Sequence, residues 1–74
     1  NPAGFNYAGY ALADCIRGAE LPYIEVHMSN VEARGIPCVC AKVADGVIYG
    51  LGTQSYLLAL EGMLHLLATR RSAT

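Results

Sequence analysis

A glutamate and a histidine stand two residues apart in a short apolar segment, and they are the first candidates for chemistry in this 74-residue sequence. Pro22–Met28 is rich in β-branched and aromatic residues and predicts a strand. Side chains alternate along a strand, so Glu25 and His27 share one face with Tyr23. A carboxylate beside an imidazole suits general acid–base catalysis or a fixed hydrogen bond to a substrate hydroxyl. A buried polar pair held by backbone groups is an equally good interpretation of the spacing alone.

The residues after this strand predict a place for an anion. Ser29-Asn30-Val31-Glu32 fits a capping box, in which the Ser29 hydroxyl and the Glu32 carboxylate each satisfy a backbone N–H of a short helical turn. The N–H groups of Asn30 and Val31 would then be free to bind a carboxylate or a phosphate. A cap without a ligand is the simpler interpretation, and the two interpretations can both hold in part.

Two other motifs carry no predicted chemistry. Gly50-Leu51-Gly52 lacks the third glycine of a dinucleotide-binding loop and is interpreted as a tight turn. Cys38 and Cys40 have the wrong spacing for a zinc knuckle or a redox pair, so no metal site is predicted. The three cysteines of the chain are an odd number, which indicates reduced thiols in a cytoplasm and not a disulfide framework.

Two helices and two strands must position these residues. Apolar residues recur at three- and four-residue spacing over 6–17 and predict a helix that Gly18 closes. The segment 43–49 predicts a buried strand of the parallel type, and 53–71 predicts a long helix capped by Thr53. One stripe of this helix consists of leucines, namely Leu57, Leu60, Leu64 and Leu67. A two-stranded parallel sheet is not expected to stand alone, so the chain is expected to begin within a larger α/β fold.

The composition excludes several classes of protein. The chain is 54% hydrophobic and 15% charged, which excludes intrinsic disorder. Its net charge of −1 does not fit a nucleic-acid binder or a binder of anionic membranes. The longest strictly apolar run, Tyr56–Leu60, is far short of a membrane span, so a soluble protein is expected. Its apolar surplus must then face other protein, either the rest of a larger domain or neighbouring subunits.

Several segments together resemble one enzyme family. Leu21–Arg34 closely resembles the I-E-V-H-[LIM]-[ST]-N-x-x-x-R signature of type II 3-dehydroquinate dehydratases. Asn1–Phe5 with Ala11–Asp14 is similar to the family's N-P-x-x-[FY]…A-[LI]-x-D segment. Gly46–Gly52 and Tyr56–Leu60 are similar to its last strand and helix. The resemblance covers essentially the whole chain.

This resemblance implies both a fold and an activity. The fold would be α/β, a flavodoxin-like parallel sheet of which residues 1–74 form the C-terminal half of a single domain. The reaction would be the elimination of water from 3-dehydroquinate through an enolate, a lyase step of the shikimate or quinate pathway that serves aromatic amino acid biosynthesis. The family uses neither metal nor cofactor, and its trimers assemble into dodecamers, so a cytoplasmic homo-oligomer is expected.

Matched position by position, the resemblance also assigns substrate-binding residues. Asn1 matches an asparagine that contacts the substrate or a catalytic water. His27 matches the histidine that binds a substrate hydroxyl, and Glu25 is the carboxylate beside it. Met28 and Ser29 match the pair whose backbone N–H and hydroxyl take the substrate carboxylate.

Departures from the family pattern bear on catalysis. Tyr7 stands where the family has the histidine that protonates the departing hydroxyl, and a phenol is a weaker acid than an imidazolium. The segment after Arg34 is shortened, so a further substrate-binding arginine has no counterpart, and the catalytic loop of the family would lie upstream of Asn1. Two hypotheses follow. The first is a dehydratase with Tyr7, Glu25 and His27 as catalytic residues. The alternative is a non-catalytic or altered-chemistry homologue that binds a hydroxy-carboxylate or serves only in oligomer assembly.

Overall fold

The computed structural model describes residues 1–73 as an α/β arrangement. Within these residues the chain forms two α-helices, two β-strands and two short 3₁₀ helices. Their order is 3₁₀ helix Ala3–Phe5, α1 Tyr10–Ala19, β1 Ile24–His27, 3₁₀ helix Val39–Val43, β2 Gly46–Tyr49 and α2 Gln54–Ala73. This arrangement is the predicted fold class and is compatible with part of a flavodoxin-like fold.

β1 and β2 form a parallel two-stranded sheet, as the sequence predicts. Asp45 fixes how the strands begin, because its carboxylate accepts a hydrogen bond from the Tyr23 N–H at 2.8 Å. The N–H of Asp45 in turn donates to the Tyr23 carbonyl, also at 2.8 Å. His27 lies opposite Tyr49 at the other end. The carboxyl ends of both strands therefore meet at one edge of the sheet.

The long helix α2 packs on the sheet through small residues. Ser55 and Ala59 are buried on its inner side. Gly62 faces the sheet, and a Cβ at this position would make an ordinary van der Waals contact with Ile24 Cδ1 at 3.4 Å. The outer side of α2 carries the leucine stripe of Leu57, Leu60, Leu64 and Leu67, whose members are 43–60% exposed. The helix is thus apolar on both sides, and the described residues cover only one of them.

The other helix, α1, packs against the 3₁₀ helix Val39–Val43. The small core between them consists of buried Ala13, Val39 and Cys40, with Leu12, Ile16, Tyr23 and Val43 partly buried around it. Gly9 allows the chain to enter α1 close to this core. A Cβ at Gly9 would lie 3.1 Å from Cys40 Sγ and 2.5 Å from the Phe5 carbonyl oxygen. The contact with the backbone oxygen is too short for a real Cβ, so this entry requires glycine.

Some element boundaries differ from the predictions. The helix predicted over 6–17 begins at Tyr10 because residues 6–9 form turns, and it continues past Gly18 to Ala19. The strand predicted over 22–28 is limited to the four residues of β1. The strand predicted over 43–49 loses its first residues, because Val43 is the last residue of a 3₁₀ helix that the sequence does not predict.

The end of the chain agrees more closely with the predictions. α2 begins at Gln54, directly after the predicted cap Thr53, and runs through the predicted range. Gly50 and Gly52 have φ angles of 96° and 59°, so the tight turn before α2 is confirmed and needs glycine at both places. His65 is exposed on α2. Neither described helix combines the length and the apolar character that crossing a lipid bilayer would demand.

Candidate active site

The candidate active site lies where the two strands end. The loops that follow them are joined, because the Gly50 N–H donates to the His27 carbonyl at 3.3 Å and the Gly52 N–H donates to the Met28 carbonyl at 2.9 Å. At Gly50 the chain also passes close to the neighbouring loop, since a Cβ there would lie 3.6 Å from Asn30 Cβ. The carboxyl ends of parallel strands are where open α/β sheets bind their ligands.

Tyr23, which directly precedes β1, and two residues of β1, Glu25 and His27, form a chain of hydrogen bonds, called here the buried polar chain. The Tyr23 hydroxyl donates to Glu25 Oε1 at 2.7 Å, and His27 Nε2 lies 2.8 Å from Glu25 Oε2. Glu25 is 0% exposed and His27 is 3% exposed. The shared face predicted from strand alternation is confirmed. The two interpretations of the Glu25 and His27 spacing also meet here, because the pair is buried and His27 nevertheless lines a pocket.

The direction of these hydrogen bonds defines the tautomer of His27. A carboxylate oxygen only accepts, so Nε2 of His27 carries the hydrogen. Nδ1 is therefore the ring nitrogen left for a ligand, and in a neutral imidazole it accepts a hydrogen bond. Burial raises the pKa of the Tyr23 phenol, and the hydrogen bond to Glu25 and its charge raise it further. Tyr23 thus remains a donor to Glu25 at physiological pH.

A pocket of about 460 Å³ opens beside His27. It brings together most of the predicted site residues, which are Asn1, Tyr7, His27, Met28 and Ser29. Glu25 does not line the pocket, because it is buried behind His27. The fold therefore joins the N-terminal segment to the loop after β1, and Glu25 acts on the pocket only through the histidine.

The two pocket residues from the N-terminal segment are held differently. Asn1 is anchored at both ends of its amide, since Nδ2 donates to the Tyr56 hydroxyl at 2.8 Å and Oδ1 accepts from the Ala3 N–H at 3.2 Å. Tyr7 is 67% exposed at the pocket wall. Its phenol is therefore open to a ligand and to solvent.

The loop after β1 differs from the predicted capping box. Asn30 caps the turn, because its Oδ1 accepts a hydrogen bond from the Ala33 N–H at 3.2 Å. Ser29 Oγ instead accepts from Arg34 Nη1 at 3.1 Å. The segment 31–35 remains a turn and does not become a helix. The prediction of a Ser29 cap is wrong, because Asn is an equally good cap and lies one residue further along. The Ser29 hydroxyl is thereby placed in the pocket.

Two further polar residues line the pocket without having been assigned a role from the sequence. Arg34 gives the pocket a positive charge beside the Ser29 hydroxyl. Asn6 is 6% exposed, and its Oδ1 has no hydrogen-bond partner within residues 1–73. A buried polar atom left unpaired costs about 1–3 kcal/mol, which a ligand hydroxyl or a water would recover. Arg34 belongs to the signature quoted above, which is the signal that could have identified it. Asn6 has no signal beyond its position next to Tyr7.

Cys38 reaches the buried polar chain from the segment before the second 3₁₀ helix. Its Sγ lies 3.9 Å from His27 Nε2 and 3.8 Å from the Ile36 carbonyl oxygen. Burial raises the pKa of the Cys38 thiol, and the negative charges of Glu25 and Glu32 raise it further. Cys38 is therefore protonated at neutral pH and is not an activated nucleophile.

The fold and the site define a class of protein. It is an α/β protein with a polar pocket at the carboxyl ends of parallel strands, where a buried carboxylate holds a histidine in place. Residues 1–64 match the family described as dehydroquinase class II. The chain belongs to this class II dehydroquinase family, as the resemblance of its segments predicts.

Relatives with curated names carry the name of one enzyme. The chain is 41% identical over 68 residues to the 3-dehydroquinate dehydratase of Marinomonas sp. (strain MWYL1), with 88% of the chain and 45% of the relative covered. It is 45% identical over 69 residues to that of Thioalkalivibrio sulfidiphilus (strain HL-EbGR7), covering 89% and 47%. It is 43% identical over 72 residues to that of Cellvibrio japonicus (strain Ueda107), covering 93% and 49%. The chain thus spans about half the length of these relatives.

Proposed function

We propose that the chain is the C-terminal half of a single domain that removes water from 3-dehydroquinate to give 3-dehydroshikimate, in the shikimate or quinate pathway. The observation that carries this proposal is the convergence of Asn1, Tyr7, His27 and Ser29 on one pocket in a chain of the class II dehydroquinase family. Relatives about twice as long carry the name 3-dehydroquinate dehydratase, which supports both the activity and the half-domain.

The substrate carboxylate is assigned to the loop after β1. The family resemblance implies Met28 and Ser29 as the pair whose backbone N–H and hydroxyl donate to this carboxylate. Arg34 adds a charged donor beside them, because its Nη1 already lies 3.1 Å from Ser29 Oγ. Hydrogen bonds between ionised partners are stronger than neutral ones, so Arg34 favours a carboxylate over a neutral group.

A substrate hydroxyl is assigned to His27. Nε2 of the ring is occupied by Glu25, so Nδ1 accepts the hydrogen bond from the hydroxyl. Glu25 and Tyr23 are positioning residues in this proposal, because they hold the ring without touching the substrate. The unpaired Oδ1 of Asn6 is a second acceptor for a polyhydroxylated ligand.

The elimination requires one proton to leave the substrate and one to arrive. A proton leaves the carbon beside the ketone, the resulting enolate expels the hydroxyl on the next carbon, and this hydroxyl departs as water after it gains a proton. Tyr7 occupies the position of the proton donor to the departing hydroxyl, and its exposed phenol is replenished from solvent. In this proposal the base that takes the first proton lies outside residues 1–74.

A His27→Ala substitution, made in a protein that carries the whole proposed domain, tests the pocket. It removes the acceptor for the substrate hydroxyl, and we expect kcat/KM for 3-dehydroquinate to fall by roughly 10- to 100-fold, which corresponds to about 1–3 kcal/mol. The absorbance of the conjugated enone product measures turnover. His65→Ala is the matched control, because His65 is exposed on α2 and outside this pocket. Equal activity of both variants and the wild-type protein would remove His27 from the site.

A Tyr7→His substitution in the same whole-domain protein tests proton delivery. General acid catalysis contributes about 10²–10⁴-fold, so an imidazolium in place of the phenol should raise kcat within that range when Tyr7 limits the reaction. A wild-type protein as fast as the variant would show that Tyr7 is already an adequate acid. Proteins that bind 3-dehydroquinate but do not convert it, with either residue at position 7, would refute the dehydratase and favour a binding homologue.

We also propose that the protein is a cytoplasmic homo-oligomer built from trimers. The leucine stripe of α2 supports assembly, because four exposed leucines on one helix face are an apolar surface that water disfavours. The three cysteines support a reducing compartment, since Cys15, Cys38 and Cys40 are all free.

A further inference from the structure

Three ligand types that suit one metal ion meet behind the pocket. A carboxylate oxygen of Glu25, His27 Nε2 and Cys38 Sγ all lie within 4.8 Å of one another. Glu25 and His27 are buried, and Cys38 is half-buried. We propose that Glu25, His27 and Cys38 form a binding site for a divalent cation that favours sulfur and nitrogen ligands, with Zn²⁺ as its best occupant.

The distances between the ligand atoms fit a small cation after a slight adjustment. Zn²⁺ binds histidine nitrogen and carboxylate oxygen at about 2.0–2.2 Å and thiolate sulfur at about 2.3 Å in tetrahedral geometry. These lengths place the nitrogen about 3.4 Å from the oxygen and about 3.6 Å from the sulfur. The corresponding distances are 2.8 Å between His27 and Glu25 and 3.9 Å between His27 and Cys38. The first distance is about 0.6 Å shorter and the second about 0.3 Å longer than the metal requires, and small side-chain rotations supply both differences.

The charges of the site also match a divalent cation. Glu25 contributes one negative charge and Cys38, as a thiolate, contributes another, so a bound Zn²⁺ leaves the buried site neutral. Binding releases the thiol proton of Cys38 to solvent. It also moves the hydrogen of His27 from Nε2 to Nδ1, because the metal takes the lone pair at Nε2.

A neighbouring group already supports one of the ligands. The Tyr23 hydroxyl donates to Glu25 Oε1 at 2.7 Å, which leaves Oε2 to face the histidine and the metal. Metal-binding carboxylates are commonly oriented by such a second hydrogen bond. Cys40 is not a fourth ligand, because its thiol is turned toward the Gly9 carbonyl oxygen at 3.6 Å. A water is the fourth ligand in this proposal.

The site is reached from a second cavity. A cavity of about 280 Å³ is lined by Cys38 and carries the exposed carboxylate of Glu32. This cavity borders the larger pocket, because Val31 and Ile36 line both, whereas His27 lines only the larger one. A cation that reaches Cys38 from this cavity passes the negative carboxylate of Glu32 at its wall.

Metal occupancy would alter the proposed substrate contact. With Zn²⁺ on Nε2, His27 presents an Nδ1–H donor to the pocket where it otherwise presents an acceptor. This consequence rests on the proposed function, whereas the metal site itself does not. A test of metal binding without substrate therefore separates the two.

Cobalt and zinc titrations of the purified, chelator-treated protein test the site. Co²⁺ should produce a thiolate-to-cobalt charge-transfer band in the near ultraviolet, and Zn²⁺ should remove this band at one ion per chain. Cys38→Ser should abolish the band and weaken Zn²⁺ binding at least about tenfold. The matched control is Cys15→Ser, because Cys15 is an exposed cysteine on α1. It should keep both the band and the affinity.

Two outcomes would overturn the proposal. One is the absence of a charge-transfer band in the wild-type protein, and the other is a band that survives Cys38→Ser. Circular dichroism establishes that each variant is folded. If Cys38→Ser does not fold, His27→Gln takes its place, and Zn²⁺ affinity that is unchanged in this variant refutes the site.

Discussion

Two regions of this protein invert the usual placement of side chains. The buried polar chain of Tyr23, Glu25 and His27 places an acid and a base inside the fold. The leucine stripe of α2 places four large apolar side chains on the outside. The polar chain is tolerated because both oxygens of Glu25 accept hydrogen bonds, so its burial leaves no partner missing. The leucine stripe has no such compensation within residues 1–73.

This contrast distinguishes a completed site from an incomplete surface. A buried polar group with its partners in place needs nothing further to be stable. An exposed apolar stripe is stabilised only when other protein covers it and removes it from water. The polar chain therefore depends on residues that are present, and the stripe depends on residues elsewhere. Three substitutions test this distinction.

The largest effect is expected for Glu25→Ala. Removal of the carboxylate leaves His27 and Tyr23 without their acceptor. The loss of two hydrogen bonds to a charged group, each about 1.5–3 kcal/mol, should lower the free energy of unfolding by about 3–5 kcal/mol. Urea denaturation of the purified protein measures this quantity. Glu61→Ala serves as the control, because Glu61 is exposed on α2 and should change the free energy by less than about 0.5 kcal/mol. Similar values for both variants would show that Glu25 contributes no more than a surface charge.

An intermediate effect is expected for Leu60→Gln. Leu60 is 58% exposed in the chain. If other protein covers the stripe, burial of this leucine contributes about 2 kcal/mol to the free energy of unfolding, and the substitution should remove that contribution. The same substitution should lower the apparent mass in light scattering. Leu21→Gln is the matched control, since Leu21 is 70% exposed outside the stripe. A Leu60→Gln variant as stable and as large as this control would mean that the stripe is ordinary surface.

The smallest effect is expected for Tyr23→Phe. The phenylalanine keeps the ring and loses only the hydrogen bond to Glu25, which should lower the free energy of unfolding by about 1.5 kcal/mol. Tyr10→Phe makes the same chemical change on a residue that is 66% exposed and should be close to neutral. If the two variants are equally stable, the hydroxyl of Tyr23 contributes nothing to the free energy of unfolding.

Local patterns predict the parts of the site that lie on one element. The period of two along a strand places Tyr23, Glu25 and His27 on one face, and the structure confirms this. The parallel pairing of the strands and the long helix also follow from their apolar patterns. Because the capping residues Ser29 and Asn30 are interchangeable, the same kind of reasoning gives the wrong cap.

Contacts between distant segments are not predicted in this way. Cys38 lies eleven residues after His27, and only the turn of 31–35 brings its sulfur back to the imidazole. The 3₁₀ helix Val39–Val43 holds that segment, yet its valines resemble the start of a strand. Asn6 enters the pocket through tertiary packing alone. Motif spacing along the chain therefore does not identify all of the polar side chains that the fold places around His27 and its pocket.

The hydrogen bond between Asn1 and Tyr56 joins the two contrasted regions. Tyr56 lies in the first turn of α2, directly before the first leucine of the stripe, and its hydroxyl holds the amide of Asn1 at the pocket. A protein surface that covers α2 thus restrains the same tyrosine that orients a pocket residue. Thermodynamic linkage is reciprocal, so an assembly that tightens ligand binding is itself tightened by the ligand to the same extent. If the proposed oligomer forms, dilution that separates its subunits should therefore weaken ligand affinity, although no subunit need contribute a side chain to the pocket of another.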